Sequence, residues 1–379
     1  MKKIIMRKTG TYKKLGDLEY FIPNSLPPRN PALKITKEIL DLYGQASFAL
    51  GQLNEMADRV PDTTRFLKAY VIKEALLSSA IEGIHTTLIE VFTTPTDSTK
   101  PNKNTQLVLN YTKALDSAIT MLQKEGFPIS QRIILKAHQE LMSKGAGDQA
   151  SPGIYRKQQV KVGELVPPSP NEIAELMSQL EKYINEPHDL PELLVSGLVH
   201  VQFETIHPFL DGNGRIGRLL IVLMLMDKGL IKYPILYPSY YFKKHHREYY
   251  ESLNGVRTEG NYEGWIIYYL NSIRESAKDA YNRAKEIENL EQTLNHMVQK
   301  SDAFKGKRET ANAILELLFA NPITTISELS REMGKVYNTA QKTIDELVRE
   351  KIVSESISNT GRKVYKFKAY FDILDKEYS

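Results

Sequence analysis

Between Phe203 and Arg218 the chain reads F-E-T-I-H-P-F-L-D-G-N-G-R-I-G-R, which sets an imidazole, a carboxylate, a glycine-flanked asparagine and two guanidiniums in one short stretch. Gly212, Asn213 and Gly214 allow successive backbone N–H groups to face one point, and a helix opening there adds partial positive charge, which makes an anion cradle. Arg215 and Arg218 are three apart and share a helix face, so both can offer planar forks to phosphate oxygens. Asp211 is placed to hold a divalent cation against those oxygens, as magnesium is usually held. His207 is the one side chain present whose ordinary pKa suits drawing a proton from a hydroxyl near neutrality. The parts are those of phosphoryl or nucleotidyl transfer. Each has an everyday use alone, as a capped turn, a glycine bend or a solvated arginine; one loop holding all of them exceeds those uses. A competing arrangement is a zinc site of His200, Glu204 and His207, four and three apart on one helix face. It would leave the glycine-arginine half of the loop without a task.

Two apolar segments must position this loop. Leu193, Leu194, Leu198, Val199, Val201 and Ile206 read as a buried helix before it, and Ile216, Leu219, Leu220, Leu223 and Met224 as a helix after it. Pro208 discourages helix at His207, so the histidine is displayed at the first helix's end.

The match of His207, Pro208, Phe209, Asp211, Gly212, Asn213, Gly214, Arg215 and Arg218 to H-P-F-x-D-G-N-G-R-x-x-R is without substitution. In this the chain resembles the Fic (filamentation induced by cAMP) family. The resemblance implies a mainly α fold, a Fic-type helical bundle with a short β-hairpin flap, and transfer of AMP from Mg-ATP to a Ser, Thr or Tyr hydroxyl of a target protein. It implies His207 as base, Asp211 on Mg²⁺, the amides of Gly212 to Gly214 and Asn213 on the phosphates, and Arg215 and Arg218 on the β and γ phosphates. Self-modification is a further expectation.

A second stretch, S-S-A-I-E-G from Ser78 to Gly83, ends a helix that opens after Asp62 or Thr63 and closes on a left-handed glycine. Glu82 sits where the helix dipole disfavours a carboxylate, which invites a partner. The spacing is similar to the inhibitory S/T-x-x-x-E-G/N motif of autoinhibited Fic proteins, with Ser78 and Glu82 on the matching positions. That resemblance implies a salt bridge from Glu82 to Arg218 that denies the second fork to the γ phosphate; the same glutamate could position a water and remove AMP.

Along the rest of the chain, residues 1 to about 32 read as a proline-punctuated extended arm, followed by a helix from Ile35 to about Asp58. Helices follow from about Asn104 to Lys124 and from Ser130 to Ser143. Between Gly153 and Pro170, Gln158–Val162 and Glu164–Val166 lean toward a hairpin around one glycine; in the family such a flap holds the target by strand addition. Ser169 and Glu172 form a capping-box pattern with Pro170 at the first helical position. Arg247, Tyr250 and Asn254 could reach a nucleotide base. Trp265–Leu270 reads as core helix, Ser276–Gln299 as a charged helix, and Ser301–Lys307 as a linker. Helices at Ala313–Phe319, Ile326–Met333 and Asn338–Glu350, then alternation from Val353 to Phe367 around an N-T-G turn, resemble a winged helix-turn-helix. Tyr337, Asn338, Thr339, Gln341 and Lys342 would face a groove, with Arg362 and Lys363 at the wing. The expected division is 1–100 for arm and inhibitory helices, 101–275 for the catalytic core, 276–307 for helix and linker, and 308–379 for the winged helix.

With 379 residues, 41% of them hydrophobic, the chain suits two or three globular domains. Zero cysteines exclude disulfides and thiolate metal sites and suit a reducing cytoplasm. No stretch suits a signal sequence or a membrane span. Net charge is +4, and after Lys305 basic residues barely outnumber acidic ones, too even a balance for strong phosphate-driven affinity. DNA as a partner of the C-terminal part, and a homodimer, are therefore expectations that charge alone does not decide. The rival to an AMP transferase is a DNA-binding regulator whose loop senses nucleotide; a sensor would need the cradle but not His207.

Overall fold

The computed structural model describes residues 7–59, 63–97, 100–145, 151–358 and 361–376. Asp62, and Asn359 and Thr360 of the expected wing turn, lie outside them. Within the expected arm, residues 10–23 form instead an antiparallel hairpin, β1 (Gly10–Leu15) and β2 (Leu18–Pro23), turning at Gly16 with φ +63°. Arg7 pins its base through bonds to the Gly260 carbonyl (2.6 Å) and both oxygens of Glu263.

Helices α1 (Lys37–Arg59), α2 (Thr63–Ile81), α3 (Leu88–Asp97), α4 (Lys103–Ile119), α5 (Gln131–Leu141) and α6 (Pro170–Asn185) follow. The expected capping box at α6 does not form, because Glu172 turns to Lys13 on β1 (2.9 Å) and Ser169 caps with its carbonyl alone. At the centre lie α7 (Glu192–Ile206) and α8 (Asn213–Asp227), predominantly apolar and buried along almost their whole length. Short α9 (Ser239–Lys244) and α10 (His246–Glu259) lead into α11 (Tyr262–Lys300), a single 39-residue helix where the sequence suggested two. Gly197 lets α7 approach α11: a Cβ there would stand 2.7 Å from the Tyr269 ring, and the Gly197 carbonyl takes the Trp265 indole N–H at 2.7 Å.

The C-terminal part comprises α12 (Arg308–Ala320), β3 (Ile323–Thr324), α13 (Ile326–Met333), α14 (Tyr337–Arg349), β4 (Ser354–Ile357), β5 (Lys363–Lys366) and α15 (Lys368–Asp375). Its strands form an antiparallel sheet in the order β3-β5-β4. A true capping box, unforeseen in the sequence, starts α13 at Thr325 with Glu328. This part packs on α2: Lys73 of α2 donates to the Leu374 carbonyl at 2.7 Å, and Phe92 of α3 meets Phe371 edge-on. One hydrophobic cluster runs from Ile39 to Leu374, so α2 is walled by the C-terminal part on one face and by the centre on the other.

Candidate active site

The turn from α7 to α8 carries the chemistry-bearing residues. His207 ends α7 in the left-handed conformation (φ +50°, ψ +62°), with its N–H still bonded to the Phe203 carbonyl at 2.9 Å. A non-glycine residue there is strained by about 1–2 kcal/mol, so the surroundings must hold it. Arg156 does: its Nε donates to the His207 carbonyl (2.9 Å), its backbone N–H to the Pro208 carbonyl (2.9 Å), and Nη2 to the Pro168 carbonyl (2.6 Å). The same buried guanidinium thus ties the 153–168 segment to the loop.

That segment forms one isolated bridge, Val162 with Leu165, in place of the expected two strands. Pro167 and Pro168 remove donors there, and Val166 gives its carbonyl instead to the Phe21 N–H of β2 at 2.9 Å. A third brace comes from α5. Buried His138 stacks on Phe209 with ring centroids 3.7 Å apart; its Nδ1 accepts the Gly153 N–H (2.9 Å), which makes Nε2 the donor to the Asp211 carbonyl (3.0 Å). Burial pushes its pKa down to about 4, which keeps this neutral tautomer. Neither Arg156 nor His138 stood out in the sequence, since each reaches the loop from 51 or 73 residues away.

The Asn213 side chain does not reach into the cradle as expected. It bonds Phe209 twice, accepting its N–H and donating to its carbonyl, both at 2.8 Å, and so closes the loop. What the loop leaves for an anion is backbone: the first intrahelical bond of α8 runs from Ile216 to the Gly212 carbonyl, so the amides of Asn213, Gly214 and Arg215 precede the ladder. Gly212, at φ +82°, makes the sharp entry.

The two arginines differ in their partners. Arg215 is buried, its Nη2 lies 3.3 Å from Asp211 Oδ1, and its Nε and Nη1 have no partner among the described residues. Arg218 is engaged on one edge: Nε donates to Ser78 Oγ (2.9 Å), and Nη2 to the Ser78 carbonyl (2.9 Å) and Glu82 Oε1 (2.7 Å). Burial opposes its charge, but the Glu82 carboxylate together with Tyr249 and Glu204 outweighs that and raises its pKa. The same carboxylate stands over the first turn of α8, where a Cβ on Gly214 would lie 2.2 Å from Glu82 Oε1. Behind Ser78, buried Glu74 takes Ser239 Oγ at 2.5 Å and Tyr111 at 3.2 Å; burial lifts its pKa to about 7. Gly83 closes the helix at φ +76°, as its position predicted.

Burial, aided by the Arg257 charge, pushes the His207 pKa down to about 4, so its imidazole is unprotonated near neutrality. Its Nδ1 has no well-aligned partner among the described residues. The zinc arrangement is not assembled. His200 spends Nδ1 on the Gly217 carbonyl (3.0 Å) and Nε2 on the Tyr249 hydroxyl (2.8 Å), and burial lifts Glu204 to about 7. No group of three or more His, Cys, Asp or Glu among the described residues could hold a metal. Asp211 is exposed, its Oδ1 taken by the Gly212 N–H and Arg215, which suits a cation held mostly by a ligand's own oxygens. Tyr250, 41% exposed, feels the charges of Glu82 and Arg218 and so borders the cradle; Arg247 does not, being paired with Glu251 at the surface. Asn254 lies one helical turn beyond Tyr250 on α10.

Residues 40–120 match the Fic/DOC family N-terminal model, and residues 128–225, which hold the loop, match the Fic/DOC family. The chain carries a Fic/DOC family domain. It is similar to the protein adenylyltransferase Fic of Aedes aegypti, 29% identical over 262 residues that make up 65% of this chain and 50% of that protein. Against the protein of the same name from Drosophila melanogaster it is 32% identical over 155 residues, 40% of this chain and 30% of the relative. The chain thus spans half or less of these relatives. Its fold resembles a Fic family protein from Desulfovibrio desulfuricans G20 (TM-score 0.56, 20% identity, 88% of this chain and 97% of that one). It also resembles Fic-1 from C. elegans (TM-score 0.52, 23% identity, 65% and 72%). This Fic domain is built of helices long before its loop is reached, and no described helix is long and apolar enough to cross a membrane.

Proposed function

We propose that this Fic domain moves AMP from Mg-ATP to a Ser, Thr or Tyr hydroxyl of a protein target, itself included, and that Glu82 holds it in check. The observation that carries the reading is the carboxylate of Glu82 seated on Arg218 and over Gly214, beside the unpartnered nitrogens of Arg215. A cradle whose cationic wall is part filled by the protein's own anion suits a triphosphate as the competing ligand. Relatives bearing the name adenylyltransferase support the same reaction.

In this mechanism the α8 amides and Arg215 hold the phosphates, and Arg218 joins them once Glu82 withdraws. His207 takes the proton of the target hydroxyl as its oxygen attacks the α phosphorus; the P–O bond to the β phosphate breaks, and pyrophosphate leaves. Mg²⁺, held by Asp211 and phosphate oxygens, would offset the charge gathering on the leaving group. Tyr250 and Asn254 line the path to the base. Incubating Glu82→Gly protein with labelled ATP and Mg²⁺, with His207→Ala as control, tests the assignment: label on protein with intact His207 is expected, and equal labelling of Glu82→Gly and wild type removes the inhibitory role. Loss of AMP from pre-labelled protein on adding wild type, but not Glu82→Gly, would assign the reverse reaction to the same glutamate.

The C-terminal part supports a second partner. Its helix order and three-stranded sheet suit a winged helix whose α14 presents exposed Tyr337, Asn338, Thr339 and Lys342. Gln341 is an exception to that face, since it bonds Asp345 of its own helix at 2.7 Å, and Lys363 pairs with Glu355. Such a face suits DNA or a docked protein, and a shift of labelled duplex that strengthens as salt falls tests for DNA.

A further inference from the structure

The stripe of α2 that carries Ser78 and Glu82 to the start of α8 runs back at helical spacing through Val71 and Leu67, toward the other end of that helix. There it borders a cavity of about 490 Å³. Val71 and Ile72 of α2, Phe92 of α3, Leu109 and Ile119 of α4 and Met226 of α8 line it. Protein interiors leave few voids larger than a water, and a mostly apolar hollow of this size, with a few placed polar groups, is what a small molecule occupies. It lies beside the junction with the C-terminal part, where Phe92 meets Phe371, and such junctions are a usual place for ligand sites.

Three charged residues reach this lining, and all are exposed, so they stand at its mouth. Lys232 is answered by Asp58. Asp116 stands where the cavity adjoins a second hollow bordered by Arg132 and Lys136, and no described group pairs with its side chain. Lys68 differs from both. Its ammonium is held by two neutral groups, the Asn321 side-chain oxygen and the Phe92 ring at 5.7 Å, which fix its place without cancelling its charge. Apolar surroundings lower its pKa, and no described carboxylate opposes them. A cation so placed at the rim of an apolar hollow suits an anion attached to an apolar body.

We propose that this cavity binds an aliphatic carboxylic acid, its chain among Val71, Ile72, Phe92 and Met226 and its carboxylate on Lys68. An amine would be drawn instead to Asp116, which nothing described holds in place, and a neutral chain would leave Lys68 unanswered. An occupant would bear on α2 and α8 together, the two helices whose other ends bring Glu82 and Arg218 into contact. The inference does not depend on the catalytic reading.

Titration calorimetry of the full chain with decanoate, decylamine and decanol, each kept below its micelle range, tests it. Decanoate should saturate a single site, with a heat of binding that becomes more negative on warming, the mark of buried apolar surface. Decanol should bind about tenfold more weakly, the worth of a charge-assisted bond, and decylamine no better than decanol. Lys68→Gln should bring decanoate down to the level of decanol, while Asp116→Asn leaves it at least as tight. Thr112→Phe, at a half-buried position of the lining, should abolish decanoate binding with circular dichroism unchanged. No saturable binding of decanoate, decylamine bound more tightly than decanoate, or an affinity that survives either Lys68→Gln or Thr112→Phe would each overturn the proposal.

Discussion

The two sides of the cradle are built from the same residue type one helical turn apart, yet they stand in opposite states. On one side Arg215 keeps two buried nitrogens without a partner; on the other Arg218 has its Nε and Nη2 taken by Ser78 and Glu82. A buried guanidinium left short of partners is costly unless an anion arrives, so the Arg215 side describes a site made for a ligand, and the Arg218 side one already plugged. What separates them is a helix, α2, that reaches across from 136 residues earlier in the chain. Binding and restraint are thus carried by different segments and can be separated by mutation.

The largest expected effect comes from removing what both sides serve. His207→Ala should lower transfer about a thousandfold, the usual worth of a positioned general base, while ATP binding measured by calorimetry stays within a few fold. Next, Glu82→Gly should make the Arg218 side resemble the Arg215 side and raise labelling well over tenfold, since a charge-assisted bond of about 1.5–3 kcal/mol no longer competes with phosphate; its thermal stability should fall and be recovered by Mg-ATP. Arg215→Lys keeps the charge but loses the fork, and should raise the KM for ATP about tenfold in the Glu82→Gly background. An unchanged KM would mean that the two sides do not share one ligand.

The smallest effect is on stability against pH. His138, His200 and His207 are held near 4, 3 and 4, below the ordinary imidazole value, so the unfolded chain takes up their protons first and stability is lost as pH falls from about 6.5. Glu74 and Glu204, lifted to about 7, act oppositely: their contribution is complete below the ordinary carboxylate value and is lost as pH rises through 7. Between pH 6.5 and 4.5 two carboxyls offset two of the three histidines, which leaves a decline of about 1.4 kcal/mol per pH unit. Urea melts across that range measure it, and Glu74→Gln should steepen the slope.

Much of this was legible because it is local. The H-P-F-x-D-G-N-G-R run dictates a helix end, a glycine turn and a helix start within its own length, and Ser78, Glu82 and Gly83 mark a helix terminus by spacing alone. The residues that hold the loop in place were not legible: Arg156 and His138 act through carbonyls and a ring stack, which leave no periodic trace. The 153–168 segment had strand-like residues but found its main-chain partner in β2, and prolines had disguised that hairpin as an arm. The family resemblance assigns Asn213 to the phosphates, whereas its side-chain amide completes the turn. Side-chain identity predicted which groups gather there; which of two partners each one takes depended on distant backbone.

In the proposed reaction the cradle aligns a nucleotide so that its α phosphorus meets a hydroxyl beside His207. Glu82→Gly protein given Mg²⁺ and ATP labelled on either the α or the γ phosphate tests this most directly. Label should enter protein from the α position only and not in the companion His207→Ala variant; label arriving from the γ position, or from neither, would rule this alignment out.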